Sequence, residues 1–211
     1  MTRAILCLIS VQACAAVPHG HGPARGNRIP ASWHWPCKTQ HIIATWHEDP
    51  IGFRLEVNDI VKKINAVAGR DVLRLIGPVT SRFLPGITVV SLDEPGSPMR
   101  STGGAMPVYS GARRCIDHWQ VAVKKPYGTL TVGPIVRLIL THEILHVVGL
   151  EHVVGSAAGV MTPMVKPSHT ADLSRFEKEL VRCIAWSYLD AKNDPARGSP
   201  MGLCVGKLSR K

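Results

Sequence analysis

The alternation of apolar and polar positions divides the chain into short strands and three helices. Residues 40–46 (QHIIATW) are a brief apolar run rich in β-branched side chains, which predicts a strand. The period then changes. Phe53, Val57, Ile60, Val61, Ile64, Val67 and Ala68 recur at intervals of three and four, the spacing of one helical face. Lys62 and Lys63 fall off that stripe, as a solvated face requires. Asp49 is expected to cap this long helix, with Pro50 at its first position. Gly69 is expected to close it in a left-handed conformation.

Residues 72–77 (VLRLIG) and 86–94 (GITVVSLDE) predict two further strands, the second mostly apolar, as an inner strand is. The stretch PGSPMRSTGG reads as a loop. Residues 105–109 (AMPVY) make a short strand whose Pro107 places it at a sheet edge. Residues 118–125 (HWQVAVKK) are another strand, ended by the turn KPYGT. The run GPIVRLILTHEILHVVG begins with Pro134 and stops at Gly149. Apolar residues cover most of its circumference, so it predicts a buried helix. SAAGVMTPMVKPSH follows as a loop. Ser174 and Glu177 then have capping-box spacing. They precede a C-terminal helix striped by Phe176, Leu180, Ile184 and Tyr188. Residues 191–211, Gly/Pro-rich and basic, are expected to be a loose tail. The order is strand, long helix, four strands, helix, loop, helix, which predicts a mixed α/β (α+β) domain.

A chain of 211 residues suits one compact domain, here residues 39–190, with short flanking segments. The formal charge of +10 raises the question of nucleic acid. The basic residues are scattered, without a long run or interleaved aromatics, so no nucleic-acid partner is expected. At the N-terminus, Arg3 precedes a short apolar stretch, Ala4 to Val11, and then Ala13-Cys14-Ala15. This predicts a signal peptide over residues 1–16 and a secreted or periplasmic product. The alternatives are a buried N-terminal element and lipid attachment at Cys14. Residues 17–38 read as an extended segment, and no other stretch is apolar enough to span a membrane.

Of six cysteines, Cys7 and Cys14 would leave with the signal peptide. Cys37, Cys115, Cys183 and Cys204 remain, which allows three pairings. The sequence does not choose among them. The expected pairing is Cys37–Cys115 with Cys183–Cys204, because the second bond would tie the loose tail to a nearby helix.

Within the buried helix, HEILHVVGLEH spans His142 to His152. His142 and His146 lie one turn apart on one face. Gly149 lets the helix stop and reverse, which can bring His152 to the same point. Three neutral nitrogen ligands without a thiolate describe a catalytic zinc, its fourth position left for water. Glu143, roughly 100° round the helix from His142, is placed to take a proton from the metal-bound water and return it to a leaving amine. Burying these polar groups with no metal would cost on the order of several kcal/mol.

This stretch resembles the H-E-x-x-H-x-x-G-x-x-H signature of the metzincin zinc peptidases. Met161, nine residues after His152, stands where that family has its Met-turn. The short gap and Pro163 after the Met are most similar to the matrixin branch. The resemblance implies a twisted, mostly parallel sheet with an antiparallel edge strand. It also implies one catalytic Zn2+ on His142, His146 and His152, with Glu143 as general base and acid. Gly149 would make the turn and Met161 floor the site. A protein or peptide substrate would pair with the edge strand at Ala105, Met106, Val108 and Tyr109, and the loop after Met161 would wall a side-chain pocket. A monomeric endopeptidase is expected. The alternative is a non-catalytic or latent secreted zinc-binding module of the same fold.

Overall fold

The computed structural model describes residues 36–93, 103–110, 115–124, 133–153, 159–163, 169–190 and 199–208. The expected signal peptide, the extended segment up to residue 35 and the side chain of Tyr188 lie outside the described residues.

Five strands form one sheet: β1 (His41–Thr45), β2 (Leu73–Leu75), β3 (Ile87–Asp93), β4 (Gly103–Ser110) and β5 (Cys115–Lys124), in the order β2-β1-β3-β5-β4. The first three junctions are parallel; β4 runs antiparallel to β5 at the edge. The helices are α1 (Ile51–Ala68), α2 (Pro134–Val148), α3 (Arg175–Asp190) and α4 (Pro200–Leu208). The architecture is thus the expected mixed α/β one. Strand β4 is longer than its sequence pattern suggested, because pairing continues from Ala105 back to Gly103. Strand β2 is shorter, pairing only through Leu73–Leu75.

The apolar stripe of α1 is buried through Phe53, Val57, Ile60, Val61 and Ile64. It shares one core cluster with Ile43, Val90 and Val121 of the sheet, Leu138 and Leu145 of α2, and Leu180 and Ile184 of α3. Arg137 of α2 forms ion pairs with Glu56 and Asp59 of α1, fixing the two helices side by side. Gly69 ends α1 at φ 72°, where a side chain would be strained. Asn65, about one turn earlier, accepts the N–H groups of Val72 and Leu73 and so starts β2.

Two expectations change. Asp49 does not cap α1. Its buried Oδ1 instead accepts the Leu92 N–H at 3.0 Å, tying the end of β1 to β3. Residues 191–211 are not all loose tail, since Pro200–Leu208 is helical with Met201 and Cys204 buried. The disulfides are Cys37–Cys115 and Cys183–Cys204, the expected pairing. The first holds Pro36 and Cys37 beside β5, where the Cys37 N–H bonds to the Ile116 carbonyl. The second fastens α4 to α3 across a separation of 21 residues, a loop closure worth about 3 kcal/mol. Among the described residues, no helix is long and apolar enough to cross a membrane.

Asp49 generates a prediction. Burial raises its carboxyl from the ordinary 3.8 to about 6, and Oδ2 has no partner among the described residues. Ionising it therefore costs the folded state stability as pH rises through that window. Asp49→Asn keeps an acceptor for Leu92 and removes the charge. It is expected to raise the thermal midpoint by a few degrees at pH 7.5, with the gain vanishing near pH 4. Calorimetry at both pH values checks this; a gain independent of pH would refute it.

Candidate metal centre

Helix α2 is buried from Leu138 to Val148, so its polar residues lie in a low-dielectric setting. His142 is 2%, Glu143 1% and His146 7% exposed. The helix stops at Gly149, whose φ of 98° suits glycine. There the Gly149 N–H bonds to the His146 carbonyl and the Leu150 N–H to the Leu145 carbonyl. The chain turns back and delivers His152.

The three rings converge. Nε2 of His142 lies 3.2 Å from Nε2 of His152 and 3.2 Å from Nε2 of His146. One ligand atom from each residue falls within 4.8 Å of the others. Nitrogens on a tetrahedral zinc stand about 3.3–3.4 Å apart for bonds near 2.05 Å. The other ring nitrogens fix the tautomers. His142 donates Nδ1–H to the Val160 carbonyl and His146 donates Nδ1–H to the Leu150 carbonyl, both at 2.7 Å. A carbonyl only accepts, so the Nε2 atoms of the neutral rings present lone pairs to one another. Lone pairs cannot hydrogen-bond to each other; a cation between them resolves the conflict. Burial also lowers the pKa of His142, which keeps that ring neutral. The residues present therefore fit a metal ion.

Glu143 is the next residue on the helix. Burial pushes its carboxyl up to about 8, against the N–H of Ala105, which favours the charged form. Its Oε2 is buried without a partner among the described residues, an acceptor open to a bound water. Strand β4 reaches it because residue 103 is glycine. A Cβ there would lie 2.3 Å from Ile139 Cγ2 and 3.2 Å from a Glu143 oxygen. Of the proposed edge-strand residues, Ala105 bonds Glu143, while Met106, Val108 and Tyr109 continue along β4, Met106 being 45% exposed.

Met161 is fully buried, and Pro163 is half-buried in the same loop. The backbone of this loop is tied to the cluster. The Val160 carbonyl holds His142, and the Met161 carbonyl accepts the N–H of Val153 beside His152. The loop is held in turn by Glu177. Its carboxylate accepts four backbone N–H groups, from Gly159, Val160, Met161 and Ser174. Ser174 Oγ accepts the Glu177 N–H, so the expected capping box is present. The reading of Glu177 as a cap alone missed its grip on the loop 16 to 18 residues upstream. Gly159 is part of that grip, since a Cβ there would meet Glu177 at 2.4 Å. Gly103 and Glu177 carry no local pattern that announces these roles.

No protein-family model matches the chain, and the curated proteins compared with it yield no match.

Two predictions follow from this geometry. Glu177→Ala strands four donors, those of Val160 and Met161 buried, and should cost roughly 3–5 kcal/mol, read by urea unfolding; a loss under about 1 kcal/mol would mean the loop holds itself. Metal bound by the three imidazoles should be released on acidification. Burial weakens proton competition at His142, so half-release is expected below about pH 6. Equilibrium dialysis across pH 4–8 tests it, and retention at pH 4 would argue against imidazole ligands.

Proposed function

We propose that the chain is a secreted zinc endopeptidase of the metzincin type, closest to the matrixin branch. The observation that carries this reading is the approach of His146 and His152 Nε2 to 3.2 Å from His142 Nε2, with the His142 and His146 tautomers fixed, beside a buried carboxylate with an open oxygen. Zinc held by three neutral imidazoles leaves a position for water, lowers the pKa of that water toward about 7 and polarises a substrate carbonyl.

The remaining steps belong to the chain. Glu143 Oε2 accepts the proton of the attacking water and passes it to the departing amine. For this the carboxyl must be ionised, although burial, only partly offset by the Ala105 N–H, raises it to about 8. Positive charge at the neighbouring histidine cluster favours the carboxylate and brings it back into range. An extended peptide adds to the edge of β4 by backbone hydrogen bonds. Ala105, bonded to Glu143, sets the distance between that strand and the base. Met106, Val108 and Tyr109 extend the docking edge, and the segment around Pro163 borders the site. Two disulfides suit an oxidising, extracellular compartment. The substrate is protein or peptide, and the enzyme acts as a monomer.

The test pairs wild type with Glu143→Ala. Both are expected to bind about one zinc per chain. Wild type should cut a mixed peptide library, read by mass spectrometry, and lose that activity to a chelator. The variant should lose at least about 1000-fold in rate. Cleavage by Glu143→Ala would remove Glu143 from the mechanism. Zinc binding with no cleavage by either protein would favour a non-catalytic or latent zinc module.

A further inference from the structure

His152 differs from its two partners in how it is held. His142 and His146 stand on a buried helix, whereas His152 lies in the irregular segment after Gly149. Three backbone donors near it show what holds that segment. The Leu150 N–H bonds back into α2, and the Val153 N–H bonds to the Met161 carbonyl. The N–H of Glu151, adjacent to His152, points to the sulfur of Met201 at 3.0 Å. Met201 belongs to α4, fifty residues further along the chain.

Helix α4 is poorly equipped to hold that position alone. It has nine residues, including Gly202 and Gly206, and an isolated helix of this length is unstable in water. Its buried side chains are Pro200, Met201 and Cys204. Cys204 is fully buried and bonded to Cys183 on α3, with Ser187 Oγ 3.6 Å from its sulfur. Cys183 is half-buried, so a small thiol can reach it.

We infer that Met201 is a positioning residue for His152, and that the Cys183–Cys204 disulfide is a redox-sensitive latch that keeps it in place. The inference rests on the reading of the three histidines as metal ligands. In the oxidised chain, α4 lies beneath the Glu151–His152 turn and the metal is retained. A small dithiol reverses this. Its thiolate attacks the Cys183 sulfur, Cys204 leaves as a thiolate and takes a proton, and the second thiol resolves the mixed disulfide. Two electrons pass to the protein, which ends with two thiols, while the reductant ends with one disulfide. With the latch open, α4 loses its fixed place, the Glu151 N–H loses its acceptor and His152 is no longer held in the metal-binding geometry. Zinc affinity would then report the redox state of a bond remote in sequence from every ligand.

The experiment measures zinc affinity by competition with a chromophoric chelator, using the full oxidised chain. The proteins are wild type, Met201→Ala, Cys183→Ser/Cys204→Ser, Cys37→Ser/Cys115→Ser and His152→Ala, each checked for fold by circular dichroism. Met201→Ala and Cys183→Ser/Cys204→Ser are each expected to weaken zinc about tenfold or more. Combining them should add little, because both act through α4. The Cys37→Ser/Cys115→Ser protein should stay within about twofold of wild type. If the Cys183 and Cys204 variant does not fold, Met201→Ala decides the positioning role, and the Cys37→Ser/Cys115→Ser protein reduced with a phosphine decides the latch, unchanged zinc affinity on reduction overturning it. Met201→Ala at wild-type affinity, with zinc lost in His152→Ala, would overturn the positioning role and leave the metal site standing. Wild-type affinity in His152→Ala would instead overturn the metal reading itself.

Discussion

The arrangement depends on two short hydrogen bonds, from Nδ1–H of His142 to the Val160 carbonyl and from Nδ1–H of His146 to the Leu150 carbonyl. They decide the tautomers, and the tautomers decide that the Nε2 lone pairs face inward. Neither carbonyl belongs to α2. A helix can set the histidines one turn apart, but its own carbonyls are engaged along its axis. The acceptors must come from chain that leaves the helix and returns. Gly149 provides the exit for Leu150, and the loop at 159–161 provides the return. The fold beyond α2 can be understood as the means of holding those two carbonyls still.

Helix α3 bears most of that burden, by two routes. Through Glu177 it binds the 159–161 loop, whose carbonyls reach His142 and Val153. Through Cys183 it fastens α4, whose Met201 meets Glu151. One route uses a buried carboxylate satisfied by four N–H groups, and the other a covalent bond and a thioether. The carboxylate route is cheap in desolvation terms only because every partner is in place. Its contribution therefore depends on Ser174 and the glycine at 159 as much as on Glu177 itself.

Much of this was legible in the sequence where the signal is local. The apolar stripe of α1, the all-round apolarity of α2, the Ser174/Glu177 box and the turn at Gly149 each follow from periodicity or backbone freedom within a few residues. The histidine cluster was legible because helix spacing and one glycine fix its geometry. What was not legible depends on distant partners. Asp49 has the composition and place of an N-cap, yet β3 offers it the Leu92 N–H across the sheet. The helix in the tail has weak propensity, with glycines at two of nine positions, and exists through burial of Met201 and Cys204. Gly103 reads as part of a loop because nothing local says that α2 passes within van der Waals distance of it.

Gly103 also bears on how β4 and the Glu143 carboxylate are related. A side chain at this position would collide with Ile139 and crowd Glu143, so its absence sets how closely β4 can lie on α2. At that separation Ala105 can direct its N–H to the Glu143 carboxylate. The edge strand and the carboxylate are thereby referenced to each other through backbone, not through flexible side chains. β4 is also paired with β5 over eight residues, apart from the irregularity between Val108 and Tyr109. A segment adding to the edge of β4 would meet a rigid ruler whose zero is Ala105. On the proposed endopeptidase reading, register along that ruler, more than any single side-chain contact, would determine which backbone carbonyl arrives at the three histidines.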